Sequence, residues 1–182
     1  MRRERGAGSR WAVPCAADGG AMAGQQKTNV MRILEQKRIA YTAHAYAHDD
    51  GAVDGCTVAQ LIGLDPGMVF KTLVTRGAGG GYYVFVIPVA EKLDLRRAAR
   101  AVGEKSVAMI PMRELLPLTG YVHGGCSPVG MKKPFPTAVD ETAMLYDTIV
   151  VSAGKIGAQV ELAPGALLEL TGGQYAALTT ED

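Results

Sequence analysis

Two apolar runs, Val69–Arg76 (VFKTLVTR) and Tyr82–Val89 (YYVFVIPV), are separated only by Gly77-Ala78-Gly79-Gly80-Gly81. A link that short cannot hold a helical crossover, so the runs must pair antiparallel as a hairpin. This excludes a purely doubly wound parallel sheet. The rest of the chain mixes both kinds of element around that hairpin. Thr28 can cap a helix over 29–38, where Val30, Ile33, Leu34 and Lys37 recur at helical spacing. Tyr41 to His48 alternates as a strand does, and Thr57 to Leu64 reads as a short helix before the Asp65-Pro66-Gly67 turn. Asp94 caps a helix that Gly103 stops, Val107 to Ile110 is a short strand, and Pro111 opens a helix to about Leu118. Gly120 to Lys133 is a loop, and Asp140 caps a short helix. Thr148 to Ser152 is a strand that Gln159 to Leu162 can pair with, and Pro164 starts a last helix ended by Gly172-Gly173. The expected fold is α/β: a mixed, mostly antiparallel sheet, barrel-like, flanked by short helices.

The 182 residues suit one core. Residues 27–182 read as that domain. Residues 1–26 read as a disordered leader, because eleven of them are Gly or Ala and no apolar periodicity runs through them. Lys and Arg number 19 against 18 Asp and Glu, a formal charge of +1, which excludes holding nucleic acid by a global basic field. No apolar run approaches the roughly 18 residues of a membrane span. Cys15, Cys56 and Cys126 form neither a disulfide framework nor a CxxC knuckle, so a reducing cytoplasm is the expected compartment.

Generic motifs give little. The glycine run 77–81 has no helix behind it and no GK[ST], so it is a hairpin tip and not a phosphate loop. His44 and His48 precede Asp49 and Asp50, but the strand pattern makes them surface or edge histidines, and no metal or other cofactor is expected. Neither Cys56 nor Cys126 sits in a recognisable nucleophile turn. Two features stand out. Lys71 lies inside an apolar strand, facing either solvent on an edge or a cleft. Gly120 to Lys133 (GYVHGGCSPVGMKK) packs four glycines and a proline into a short span, either a plain surface turn or a loop shaped for close backbone approach to a ligand.

In order and spacing these blocks resemble the YbaK/EbsC family of aminoacyl-tRNA deacylases, from about Thr28 to Thr180. The carriers are Thr28–Leu34, the strand ending Tyr46-Ala47-His48-Asp49, Gly63–Pro66, Val69–Val74 and Lys92–Arg96. The strongest is Thr119–Lys133, with the family's GxxxP pattern as Gly124 through Pro128. Val151–Gly157 and Val160–Leu162 complete the set. Two positions depart from the YbaK branch: Asp54 stands where an aromatic residue precedes the glycine matching Gly55, and Gln159 stands for an acidic residue.

The resemblance implies hydrolysis of the ester joining a wrong amino acid to the 3′-terminal ribose of tRNA, with Cys-tRNA(Pro) as the leading substrate. Ala-tRNA(Pro) or another small aminoacyl ester, and a non-catalytic aminoacyl-tRNA or synthetase-binding module, are the alternatives. A pocket built for proline discriminates against similar small side chains by only about 1–3 kcal/mol, so a second, hydrolytic pocket supplies the rest. Carried onto this chain, Lys71 is the catalytic residue. Tyr46, Thr72, Gly124, Gly125, Ser127, Pro128, Gly130, Ser152 and Gln159 are the substrate-binding candidates, and Cys126 is a spectator. The partners implied are the aminoacyl-tRNA acceptor end and, transiently, prolyl-tRNA synthetase. The family's chemistry on cysteinyl esters is substrate-assisted: the substrate thiol attacks its own ester carbonyl. Lys132, Lys133 and Lys155 are candidates for a local basic rim.

Overall fold

The computed structural model describes residues 26–180. The leader expected over residues 1–26 therefore falls, but for Gln26, outside the described residues. Five α-helices and eight strands follow in the order α1 (Asn29–Gln36), β1 (Thr42–Ala45), α2 (Gly55–Ile62), β2 (Phe70–Gly77), β3 (Tyr82–Pro88), α3 (Leu95–Val102), β4 (Val107–Met109), α4 (Met112–Thr119), β5 (Thr137–Asp140), β6 (Ile149–Lys155), β7 (Ala158–Leu162), α5 (Pro164–Thr171) and β8 (Gln174–Ala176).

The β2–β3 hairpin forms as the glycine-separated runs require, in register from Phe70↔Pro88 to Arg76↔Tyr82. It is the centre of a five-stranded sheet ordered β4-β2-β3-β5-β8. β4 joins β2 antiparallel, whereas β5 and β8 add in parallel on the other side. A second, three-stranded antiparallel sheet is ordered β1-β7-β6. One parallel bridge, Val69↔Val150, links the two sheets. The described strands thus form a mixed and mostly antiparallel fold, but they do not close into a barrel.

Burial explains the strand sequences. Val84 to Pro88 of β3 is buried throughout, because each face of the five-stranded sheet meets a core. On one face Val84 and Val86 pack with Val30, Leu34, Val139, Ile149, Val151, Val160 and Leu167; on the other Phe85 and Ile87 meet Ala98, Ala99 and Leu178. A strand covered on both sides reads as a continuous apolar run rather than an alternating one. The helix ends follow their caps. Thr28 accepts from the Met31 N–H, Asp94 from those of Arg96 and Arg97, and Gly63, Gly103, Gly120 and Gly172 close α2, α3, α4 and α5 in the left-handed conformation.

This topology leaves a gap that positions the site. β4 pairs only with Thr75, Arg76 and Gly77 of β2, and the Val69↔Val150 bridge holds the chain just before β2 on the same side. Between these anchors Phe70 to Leu73 has no strand partner on that side among the described residues. A cleft opens there.

Candidate active site

The cleft has a volume of about 220 Å³ and an apolar wall built from Val53, Val58, Val69, Val89 and Leu115. Into it β2 brings Lys71 and Thr72. The chain leaving β1 brings Tyr46, the facing pair on β6 and β7 brings Ser152 and Gln159, and the loop after α4 brings His123, Gly124 and Cys126. Six of the ten expected site residues therefore meet: Lys71, Thr72, Tyr46, Gly124, Ser152 and Gln159. Gly125, Ser127, Pro128 and Gly130 lie outside the lining.

Lys71 satisfies both readings its sequence left open, since the unpaired edge of β2 is itself the cleft. Its Nζ donates to the Val89 carbonyl at 3.1 Å. Burial lowers its pKa from the ordinary lysine value of 10.5, partly offset by the neighbouring Cys56 and Glu91. A half-desolvated ammonium is a stronger partner for developing negative charge than one in water. Two hydroxyl oxygens, those of Tyr46 and Thr72, are buried with no hydrogen-bond partner among the described residues. A buried hydroxyl left unpaired is costly unless a ligand or water completes it, and both residues line the cleft.

The loop carrying Gly124 is rigid by construction. The Thr119 hydroxyl donates to the Leu115 carbonyl at 2.7 Å and accepts from the Tyr121 N–H at 3.1 Å. The Tyr121 hydroxyl then donates to the Val129 carbonyl at 2.6 Å, pinning the two ends of the loop together. Ser127 is fully buried and accepts from the Val129 N–H at 3.3 Å, so it shapes the turn rather than facing the cleft. Gly125 donates its N–H to the Val122 carbonyl at 3.0 Å. A Cβ on Gly125 would stand 3.0 Å from the backbone nitrogen of Ile156, so the loop and the β6–β7 turn touch main chain to main chain.

The two departures have distinct local roles. Asp54 is the N-cap of α2: its carboxylate accepts from the Thr57 N–H at 3.1 Å and from the Thr57 hydroxyl, and these bonds hold its pKa below the ordinary carboxylate value. Gln159 is 6% exposed, facing Ser152 on one side and His44 on the other. Cys126 is buried, and burial pushes its thiol up to about 12, so almost none of it is thiolate near neutral pH. His44 is engaged elsewhere, its Nε2 at 2.7 Å from the Glu161 carboxylate. Among the described residues no three His, Cys, Asp or Glu side chains gather as a metal site.

The aminoacyl-tRNA editing domain family matches residues 53–170, which span every lining residue but Tyr46. The chain is also 48% identical over 158 residues to EbsC of Enterococcus faecalis, named "Putative Cys-tRNA(Pro)/Cys-tRNA(Cys) deacylase"; the match covers 87% of this chain and 96% of that protein. The chain belongs to the aminoacyl-tRNA editing domain family. Membership makes it an ester hydrolase of the aminoacyl-tRNA deacylase class. A second relative is YwhH of Bacillus subtilis, uncharacterized, 26% identical over 62% of this chain and 71% of that one. Among solved structures, "a putative trans-editing enzyme for prolyl tRNA synthetase" is 30% identical with a TM-score of 0.72, covering 84% of this chain and 95% of that one. A hypothetical protein at 24% identity and a TM-score of 0.74 shares the fold.

In this editing domain the apolar lining by Val58 of α2 and by Val89, just after β3, escaped the sequence reading. Its signal was present as Asp54, three residues before Thr57. That capping pair starts α2 at Gly55, two residues before Thr57. Gly55 then lies against Val89, where an added Cβ would overlap the valine.

Proposed function

We propose that this editing domain hydrolyses the cysteinyl ester of mischarged tRNA, Cys-tRNA(Pro) first and other Cys-tRNAs second. The observation that carries the reading is a lysine ammonium in a small cleft where, among the described residues, the one lining cysteine, Cys126, is buried and protonated. Such a cleft positions and stabilises rather than attacks, which suits a substrate bringing its own nucleophile. The EbsC name and the 48% identity support the choice of cysteine.

In this reading the substrate thiol, as thiolate, attacks the ester carbonyl carbon. The carbonyl π pair moves onto oxygen. When it returns, the bond to the ribose 3′-oxygen breaks, the released oxygen takes up a proton, and tRNA leaves with a small thiolactone that water then opens. Lys71 stabilises the charge on the carbonyl oxygen. The N–H groups of Gly124 and Cys126 are the loop's candidates to assist, since those of Gly125 and Val129 are used within the loop. The unpaired Tyr46 and Thr72 hydroxyls, with Ser152 and Gln159, hold the aminoacyl group in the attacking geometry. A transient association with prolyl-tRNA synthetase on the same tRNA belongs to this reading, supported by the name of the 30% identical structural relative.

The test is a parallel deacylation time course on Cys-tRNA(Pro), Ala-tRNA(Pro) and Pro-tRNA(Pro). Loss of the cysteinyl ester alone is expected. Selective loss of the alanyl ester would move the specificity to that amino acid, with water as the nucleophile. No loss of any ester would overturn the reading.

A further inference from the structure

Two histidines, His48 and His123, are exposed, and the chemistry above uses neither. His123 lines the cleft itself. His48 stands one side chain outside it, and its position is built. Its ring packs edge-on against the Tyr46 ring, with centroids 6.2 Å apart and planes at 64°. Its Nδ1 lies 2.8 Å from the Asp49 carbonyl, which fixes that nitrogen as the protonated one and sets the ring plane. Beneath it is Gly157, at the β6–β7 turn, with a φ of +91° that favours glycine. A Cβ there would come 2.6 Å from the imidazole Cδ2 and 2.8 Å from Nε2. The absent side chain is what lets the ring lie against the turn. The Tyr46 N–H donates to the Gly157 carbonyl at 3.0 Å, tying strand end, turn and ring into one unit.

We propose that the His48 imidazole is the stacking platform for the terminal purine base of a tRNA acceptor end. The inference rests on the aminoacyl-tRNA reading above. An ester carbonyl within reach of Lys71 puts the attached ribose at the cleft mouth, and the base on that ribose must lie beside the mouth. Tyr46 connects the two positions, being at once cleft wall and packing partner of His48. An oriented, exposed π face supported from behind is how proteins hold an unpaired base. The charges nearby divide the labour: Asp49 and Asp50 adjoin His48 and disfavour phosphate, so His48 takes the uncharged base. Lys155, exposed two residues before Gly157, is the cation placed for the adjoining phosphate.

Steady-state deacylation by wild-type protein, His48→Ala and His48→Phe tests this, with thermal melting to confirm that both variants fold. Base stacking on an aromatic residue predicts that His48→Ala raises KM about five- to tenfold with kcat within about twofold, and that His48→Phe restores KM. An unchanged KM in His48→Ala, or no rescue by phenylalanine, overturns the platform while leaving wild-type hydrolysis intact. A second readout does not depend on turnover: a minihelix RNA with 2-aminopurine as its 3′-terminal base. Quenching of its fluorescence by wild type and by His48→Phe, but not by His48→Ala, is expected; equal quenching by all three overturns the proposal. Failure of wild type to cleave any ester would sink the deacylase reading instead, and the fluorescence arm would still decide the platform.

Discussion

At the scale of single residues the account turns on Lys71, where activity and stability pull in opposite directions. Burial lowers its pKa, so folding disfavours the ammonium at every pH below the folded-state value, and the penalty is relieved only as pH rises through that value. Replacing it with an uncharged chain of similar length removes the penalty, and in the role proposed for Lys71 it removes the chemistry as well. Lys71→Met is expected to lower the deacylation rate by about 100-fold or more while its melting temperature at neutral pH equals or exceeds that of wild type. A melting temperature well below wild type would mean that Lys71 is a structural residue. The same shift predicts that activity, if it requires the ammonium, declines with rising pH earlier than an ordinary lysine would dictate. Lys71 was legible before the structure as a lysine out of place in an apolar strand. Its surroundings were not, because the cleft depends on β4 stopping at Thr75, a pairing between residues more than thirty positions apart.

The elements divide in the same way. Helices bounded by local chemistry could be read directly: Asp94 and Gly103 bound α3, and Thr28 starts α1. The hairpin could be read because its partners are adjacent. β5 and β8 were missed. They have four and three residues, pair in parallel, and gain their partners only from the rest of the sheet. β1 was read through His48 but ends at Ala45, where the chain departs toward the β6–β7 turn and places Tyr46 in the cleft. The site loop is the element most open to test. The Tyr121 hydroxyl is a donor to the buried Val129 carbonyl, and burial pushes its pKa up to about 12. Tyr121→Phe leaves that carbonyl without its donor, so denaturant unfolding should show a loss of about 1–3 kcal/mol. Deacylation should fall as the loop loosens around Gly124. Unchanged stability would show that the loop is held by packing alone.

At the scale of the molecule, the two sheets share a core and are joined by the Val69↔Val150 bridge, and the integrity of the smaller sheet decides whether Ser152 and Gln159 reach the cleft. Glu161 joins three parts of that sheet: it is held at 2.7 Å from His44 on β1 and accepts from the Thr148 hydroxyl, just before β6, at 2.6 Å. Burial alone would raise its pKa. The bonds from Thr148 and His44 outweigh burial and hold the carboxyl below its ordinary 4.5. A lowered carboxylate stabilises the fold above the unfolded-state value, and that contribution is lost as pH falls through the folded-state value. Glu161→Gln should therefore destabilise the protein at pH 7 and approach wild type as pH falls below the ordinary carboxylate value, as read by thermal melting; a difference that does not change with pH would contradict the assignment. The measurement that bears most directly on the central claim, a positioning cleft without a protein nucleophile, is single-turnover deacylation of Cys-tRNA(Pro) by wild type, Lys71→Ala and Cys126→Ala in parallel. The account predicts rapid loss of the ester with wild type and with Cys126→Ala, and a rate lower by about 100-fold or more with Lys71→Ala. A Cys126→Ala protein as inactive as Lys71→Ala would place the nucleophile on the enzyme and contradict it.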